Sequence, residues 1–224
     1  MQIYFNELKH TYTDELDRKY KPATKFLKQF KKPFDSANIS KAVAKKEERT
    51  QQEVLVEWSF VGHLACDWGT NIHHMLEYGV EHPKWTPKNL FYAKVLTNVR
   101  AILETVPKHK KIITEKILHD EDNLIAGTAD LVIVDVEKKT AEIWDYKTNV
   151  LDAQIYNKYL DPISHLKESK INEYSLQLSL YAHMIEKQGF KVSKLNLLNV
   201  DYFGDVKVIE VENLKKEIGL LLTK

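Results

Sequence analysis

Apolar and polar positions divide the chain into two textures. From Lys21 to about Leu103 the pattern reads mostly helical. Pro22 is placed to open a helix carrying Phe26, Leu27 and Phe30, and Pro33 to end it. Further helices are expected over 37–57, 60–79 and 88–105, the last starting after Pro87. At Lys111 the texture changes. Residues 111–118, 124–135 and 141–147 are rich in Ile, Val, Leu and Trp at strand-like lengths. A helix follows over 171–187, with Leu176, Leu180 and Ile185 on its apolar side and Gly189 past its end. Residues 194–202 and 206–211 read as a strand pair around Gly204-Asp205, and 212–222 as a closing helix. At the other end, 2–5 and 10–13 read as a short hairpin around Asn6-Glu7. This order predicts an α/β fold, a mixed central β-sheet flanked by helices, with a helical N-terminal elaboration. With no linker-like stretch, 1–224 reads as one domain, mainly helical over 1–105 and sheet-containing over 106–224.

The strands at 124–135 and 141–147 flank a turn at Glu137-Lys138-Lys139. A turn centred on Glu137-Lys138 makes residues whose numbers sum to 275 face each other. Val132 then opposes Ile143, Val134 opposes Ala141, and Asp130 opposes Asp145. Opposed residues in an antiparallel pair point to the same side, and alternation places Lys147 on the face of Asp145. Two carboxylates and a lysine converge at one end of an otherwise apolar hairpin. Two carboxylates held close repel, and a divalent cation removes the conflict. Hard oxygen donors in an incomplete shell suit Mg²⁺ or Mn²⁺, one ion or two, with water and a phosphate completing it. A neighbouring lysine can hold the attacking water or stabilise charge on the phosphate. The same spacing also describes a surface hairpin ending in a salt bridge.

Four segments in order bear on that choice: Gly69-Thr70-Asn71-Ile72-His73, Gly127-Thr128-Ala129-Asp130, Asp145-Tyr146-Lys147-Thr148 and Gln177-Leu178-Ser179-Leu180-Tyr181. Together they resemble the RecB-like branch of the PD-(D/E)XK nuclease superfamily, and the short format is similar to phage-encoded exonucleases of the lambda-exonuclease kind. Ala129 stands where the superfamily's name has Pro, and Asp145 where Glu is commoner. The resemblance implies a restriction-endonuclease-like core and a Mg²⁺- or Mn²⁺-dependent deoxyribonuclease. It implies that Asp130 and Asp145 are metal ligands, with the Tyr146 carbonyl as a third and His73 as a further ligand, and that Lys147 is catalytic. Glu77, four residues after His73, shares its helix face and is a candidate for orienting it or for a second ion. Glu115, on the strand before the hairpin, and Gln177 and Tyr181 are the remaining candidates. A structure- or sequence-specific endonuclease and a non-catalytic DNA-binding module with a vestigial site remain alternatives.

Composition narrows the partners. The balance is 33 Lys+Arg against 32 Asp+Glu, a net +1, which excludes a uniformly basic nucleic-acid coat. The charge is nevertheless uneven. Ten basic residues lie between Arg18 and Lys46, where Asp35 is the one acid. Lys25, Lys28, Lys31 and Lys32 from that stretch, with Lys110 and Lys111, are candidate DNA contacts. Cys66 is the single cysteine, so the chain cannot supply a four-cysteine iron–sulfur cluster. Trp58, Trp68 and Trp144 are expected in the core, and His63, His183 and Cys66 in structural roles. No apolar run of membrane length and no signal-peptide pattern is present, so the expected setting is the cytoplasm, that of a bacterial host for a phage protein. The expected partners are DNA, a single-strand annealing or recombination protein, and a second copy of the chain.

Overall fold

The computed structural model describes residues 2–6, 9, 11–151 and 158–223. Its architecture is mixed α/β, an eight-stranded mixed sheet with helices on both faces. β1 (Ile3–Asn6) and β2 (Thr11–Asp14) form the N-terminal hairpin. β3 (Lys19–Pro22) follows, then α1 (Ala23–Lys28) with Pro22 as its N-cap residue. Next come α2 (Ser36–Lys46), α3 (Gln51–Glu81) and α4 (Leu90–Glu104). β4 (Lys111–Asp120), β5 (Ile125–Asp135) and β6 (Thr140–Lys147) form the antiparallel centre. α5 (Lys170–Lys187), β7 (Lys191–Val200), β8 (Val206–Glu210) and α6 (Lys215–Leu222) complete it.

Two expectations from the pattern do not hold. Residues 19–22 form a strand rather than loop and helix, because Lys19 and Tyr20 pair with Thr13 and Tyr12 of β2, and Lys21 and Pro22 pair in parallel with Ile125 and Ala126 of β5. The helix expected over 37–57 is two helices. Glu48 takes a left-handed φ of 54°, and Thr50 and Glu53 form a reciprocal capping box that starts α3 afresh. α3 then runs unbroken to Glu81, joining the rest of that segment to the helix expected over 60–79.

The sheet has a core on each face. One holds Val132, Ala141 and Ile143 against Leu176, Leu180 and Met184 of α5 and Leu27 of α1. The other holds Leu131, Ile133 and Trp144 against Ile72 and Leu76 of α3 and Val95 and Val99 of α4. Phe26 and Phe30 pack partly buried on the first. Trp58 does not join either core. It is half-buried, tilted against exposed Phe34 at 5.8 Å, because α3 over 56–67 stands clear of the sheet, with Phe60 and Cys66 exposed. Cys66 therefore has no packing role.

The connectivity of β5 positions the site. β4 runs along one edge of β5 from Ile125 to Val134. The other edge is shared: β3 pairs with Ile125 and Ala126, and β6 with Leu131 to Asp135. Residues 127–130 lie in the notch between the two partners. At Gly127 the α5 helix approaches so closely that a Cβ would sit 2.6 Å from a Tyr181 ring carbon. Gly127→Ala must displace that buried ring. The expected cost is about 1–3 kcal/mol, the usual range for overpacking a core, read as a lower urea midpoint at unchanged slope.

Candidate active site

The β5–β6 hairpin has the register its turn predicts: Leu131 opposite Trp144, Val132 opposite Ile143 and Val134 opposite Ala141. One step further along the same register brings Asp130 to Asp145. Alternation puts Asp145 and Lys147 on the α5 face with Ala141 and Ile143, while Trp144 and Tyr146 enter the opposite core. Both carboxylates are buried, Asp130 at 9% exposure and Asp145 at 2%.

Each carboxylate has its own partners. Asp130 Oδ2 accepts the backbone N–H of Tyr146 at 2.7 Å and lies 3.3 Å from His73 Nδ1. The Lys147 ammonium forms an ion pair with the buried Oδ2 of Asp145. Tyr174 of α5 covers Lys147, with the ammonium 4.7 Å from its ring centre. The amide of Asn199 donates to the carbonyls of Lys147 and Asn149, at 3.1 and 3.0 Å. That fixes the end of β6 against β7.

The charges separate the two acids. Burial raises Asp145, Lys147 opposes that rise, and the Asp130 charge adds to it, so Asp145 stays above the usual carboxylate range. Burial acts the same way on Asp130, but His73, Lys147 and the Tyr146 N–H outweigh it and hold Asp130 low. Burial would lower Lys147, yet Asp145 and Asp130 keep its ammonium above the ordinary lysine value. Likewise the Asp130 charge overrides burial at His73 and raises it.

Two further acids close the cluster. Thr114 opposes Leu131 and Lys116 opposes Ala129, which places Glu115 opposite Asp130. Glu115 has a φ of 43°, a left-handed conformation costly for a residue with a side chain. Burial first, then the charges of Asp130 and Glu77, push its carboxyl up to about 7. Glu77 lies one turn beyond His73 on α3, half-buried. The helix itself is seated by Gly69, where a Cβ would lie 3.3 Å from Thr148 Oγ1.

The structure thus brings His73, Glu77, Glu115, Asp130, Asp145 and Lys147 to one place. Tyr146 contributes its backbone N–H there, with its ring in T-shaped contact with His73. Gln177 and Tyr181 stand behind the site: Gln177 Nε2 donates to the Tyr181 hydroxyl at 3.3 Å, and the ring packs on Gly127. The lysines divide. Lys25, Lys28 and Lys32 are exposed along one groove, and Lys111 is exposed at the start of β4. Lys31 is held by Glu168 and Glu173, both at 3.1 Å, and Lys110 by Glu142 at 2.6 Å. His183 has a structural partner, buried Asp120, at 3.2 Å. Tyr174 and Asn199 escaped sequence reasoning. Tyr174 had a signal, since it shares the helix stripe of Gln177 and Tyr181; Asn199 had none, because its contact depends on the β6–β7 pairing.

Among the described residues, no three His, Cys, Asp or Glu side chains form a ready metal cluster. Mg²⁺ does not require one, since it is commonly held by one or two carboxylates, with water and substrate phosphate filling the octahedron. Two buried hard carboxylates, one of them raised by its burial and further by the charge of the other, fit that mode.

No family model and no curated protein matches the chain. Among solved structures it is similar to a Eubacterium rectale protein provisionally named an exonuclease, at 13% identity and a TM-score of 0.43. The match covers 71% of this chain and 64% of that one, so the chain spans less than two thirds of that protein's length. Among the described residues, no helix is long and apolar enough to cross a membrane.

Proposed function

We propose that this chain is a metal-dependent deoxyribonuclease, and within that class an exonuclease of phage or mobile-element DNA recombination, repair or degradation. The observation that carries the nuclease reading is the buried constellation of Asp130, Asp145 and Lys147 in the notch of β5. A salt-bridged surface hairpin would leave these groups in water, whereas here Asp145 is 2% exposed. The exonuclease assignment rests on the resemblance of the four ordered motifs.

In this reading Asp130 and Asp145 hold Mg²⁺ or Mn²⁺, with the Tyr146 carbonyl as a further oxygen donor. The chemistry such an ion supplies when bound is polarisation of a phosphate oxygen and acidification of water. Lys147, kept as an ammonium by two carboxylates, stabilises negative charge growing on the phosphate. Tyr174 limits where that ammonium can move. His73 turns Nδ1 to Asp130 and keeps Nε2 for the ion or its water. His73→Ala should therefore weaken metal binding by about 10- to 100-fold, the usual cost of losing a ligand's neighbour or a weak ligand. A titration of thermal stability with Mn²⁺ reads this directly, and an unchanged curve removes His73 from the metal site.

Linear and covalently closed circular DNA, each incubated with Mg²⁺, test the reading. An exonuclease degrades the linear form and spares the circle. Cleavage of both replaces it with an endonuclease, and cleavage of neither removes the enzymatic reading.

A further inference from the structure

A groove of about 710 Å³ opens on the face of the protein that carries α1 and α5. Four lysines line it against two glutamates. Lys25, Lys28 and Lys32 form an exposed rim, and Phe34, 68% exposed, stands at the same edge. Its walls are otherwise largely apolar, with Leu27 and Leu176 of the underlying core among them. Two polar groups lie deep within: Glu168 at 8% exposure and Tyr159 at 3%.

Those two groups are incompletely partnered. Glu168 Oε1 is paired with Lys31 at 3.1 Å, but Oε2 is buried without a hydrogen bond among the described residues. The Tyr159 hydroxyl is likewise buried without one among them. An unpaired buried polar atom costs on the order of 1–3 kcal/mol, so two of them in one groove are unusual for a purely structural surface. A ligand that satisfies both must offer a donor to a carboxylate oxygen beside a group that can pair with a phenol. It must also be flat and apolar enough for the walls, and anionic where it meets the rim.

We infer that this groove holds one nucleotide unit, its base edge against Glu168 and Tyr159 and its phosphate on the Lys25, Lys28 and Lys32 rim. Every nucleobase carries an N–H donor next to an acceptor, which matches the unmet requirements of the pair without selecting one base. Phe34 is placed to stack on the ring. The groove volume lies in the ordinary range for small-ligand sites, about 300–1,000 Å³. Its position links it to the proposed active site. Gln177 lines the groove and bonds Tyr181, which packs on Gly127, and Tyr174 from the same helix covers Lys147. The choice of a DNA strand, rather than a free nucleotide, as the source of that unit rests on the nuclease reading.

Calorimetric titration in EDTA, where no hydrolysis occurs, tests the groove separately from catalysis. The probes are dCMP, deoxyribose 5-phosphate and a single-stranded hexadeoxycytidylate. Wild-type protein should bind dCMP about tenfold or more tighter than the baseless sugar phosphate, the size expected for a matched polar edge. Glu168→Gln and Tyr159→Phe should each erase most of that difference while leaving sugar phosphate binding unchanged. The Lys28→Glu, Lys32→Glu double variant should weaken all three probes. A hexanucleotide that binds more tightly than dCMP identifies a strand as the occupant; equal affinity identifies the free nucleotide. Should Glu168→Gln unfold through loss of its Lys31 pairing, Tyr159→Phe carries the test alone. The inference is overturned if neither dCMP nor the hexanucleotide binds, or if both groove variants bind as wild type. Binding without any Mg²⁺-dependent DNA degradation would instead uphold the groove and overturn the nuclease reading.

Discussion

Asp130→Ala and Asp145→Ala are each expected to reduce Mg²⁺-dependent DNA degradation by at least about a thousandfold while leaving a folded protein. Removing either acid halves the carboxylate set available to a divalent ion. The remaining acid keeps a cation beside it, either Lys147 or His73, which further opposes metal entry. The two variants should differ in stability. Asp145→Ala frees the Lys147 ammonium from its nearest counter-ion, though Asp130 still faces it. Asp130→Ala strips the acceptor from the Tyr146 N–H, a buried backbone donor, and leaves His73 without its partner. The larger loss is expected for Asp130→Ala, roughly 1–3 kcal/mol for the orphaned donor, as measured by urea unfolding. Metal response gives a second readout. Mg²⁺ should raise the melting temperature of wild type and leave that of both variants unmoved, because only a ligand bound to the native state stabilises it.

Lys147→Met should be about as inactive, for a different reason. Methionine keeps much of the aliphatic stem that packs under Tyr174 and removes only the charge. If the ammonium stabilises charge on the phosphate, its loss lowers kcat by about a hundredfold or more, with KM for DNA changed far less. The two carboxylates lose their resident cation in this variant, so Mg²⁺ should bind at least as tightly as in wild type. Retained metal stabilisation with lost activity is the combination expected of Lys147. Loss of both would make the lysine a structural support for the acids instead.

Much of this site can be read along the chain because its parts are local. The hairpin register follows from a short turn and a period of two, and Val132 opposite Ile143 fixes the rest. His73 and Glu77 share a helix face by spacing alone. The parts that sequence did not disclose depend on distant partners. β3 is a Lys-Tyr-Lys-Pro strand with little apolar alternation, made a strand by β5, and with β6 it bounds the notch at residues 127–130. The left-handed turn of the backbone at Glu115 has no signature in its neighbours. Lys31 and Lys110 look like free cations in sequence, yet Glu168, Glu173 and Glu142 come from remote segments to neutralise them. Trp58 shows the opposite error, since a tryptophan reads as a core aromatic and the projecting part of α3 offers it no core.

The most direct test follows label release from end-labelled linear DNA by wild-type protein and by Asp145→Ala, each in Mg²⁺ and in EDTA. A metal-dependent site at Asp145 predicts release by the wild type in Mg²⁺ alone, and none above background in the other three reactions. Release that persists in EDTA, or that Asp145→Ala sustains at the wild-type rate, would contradict it.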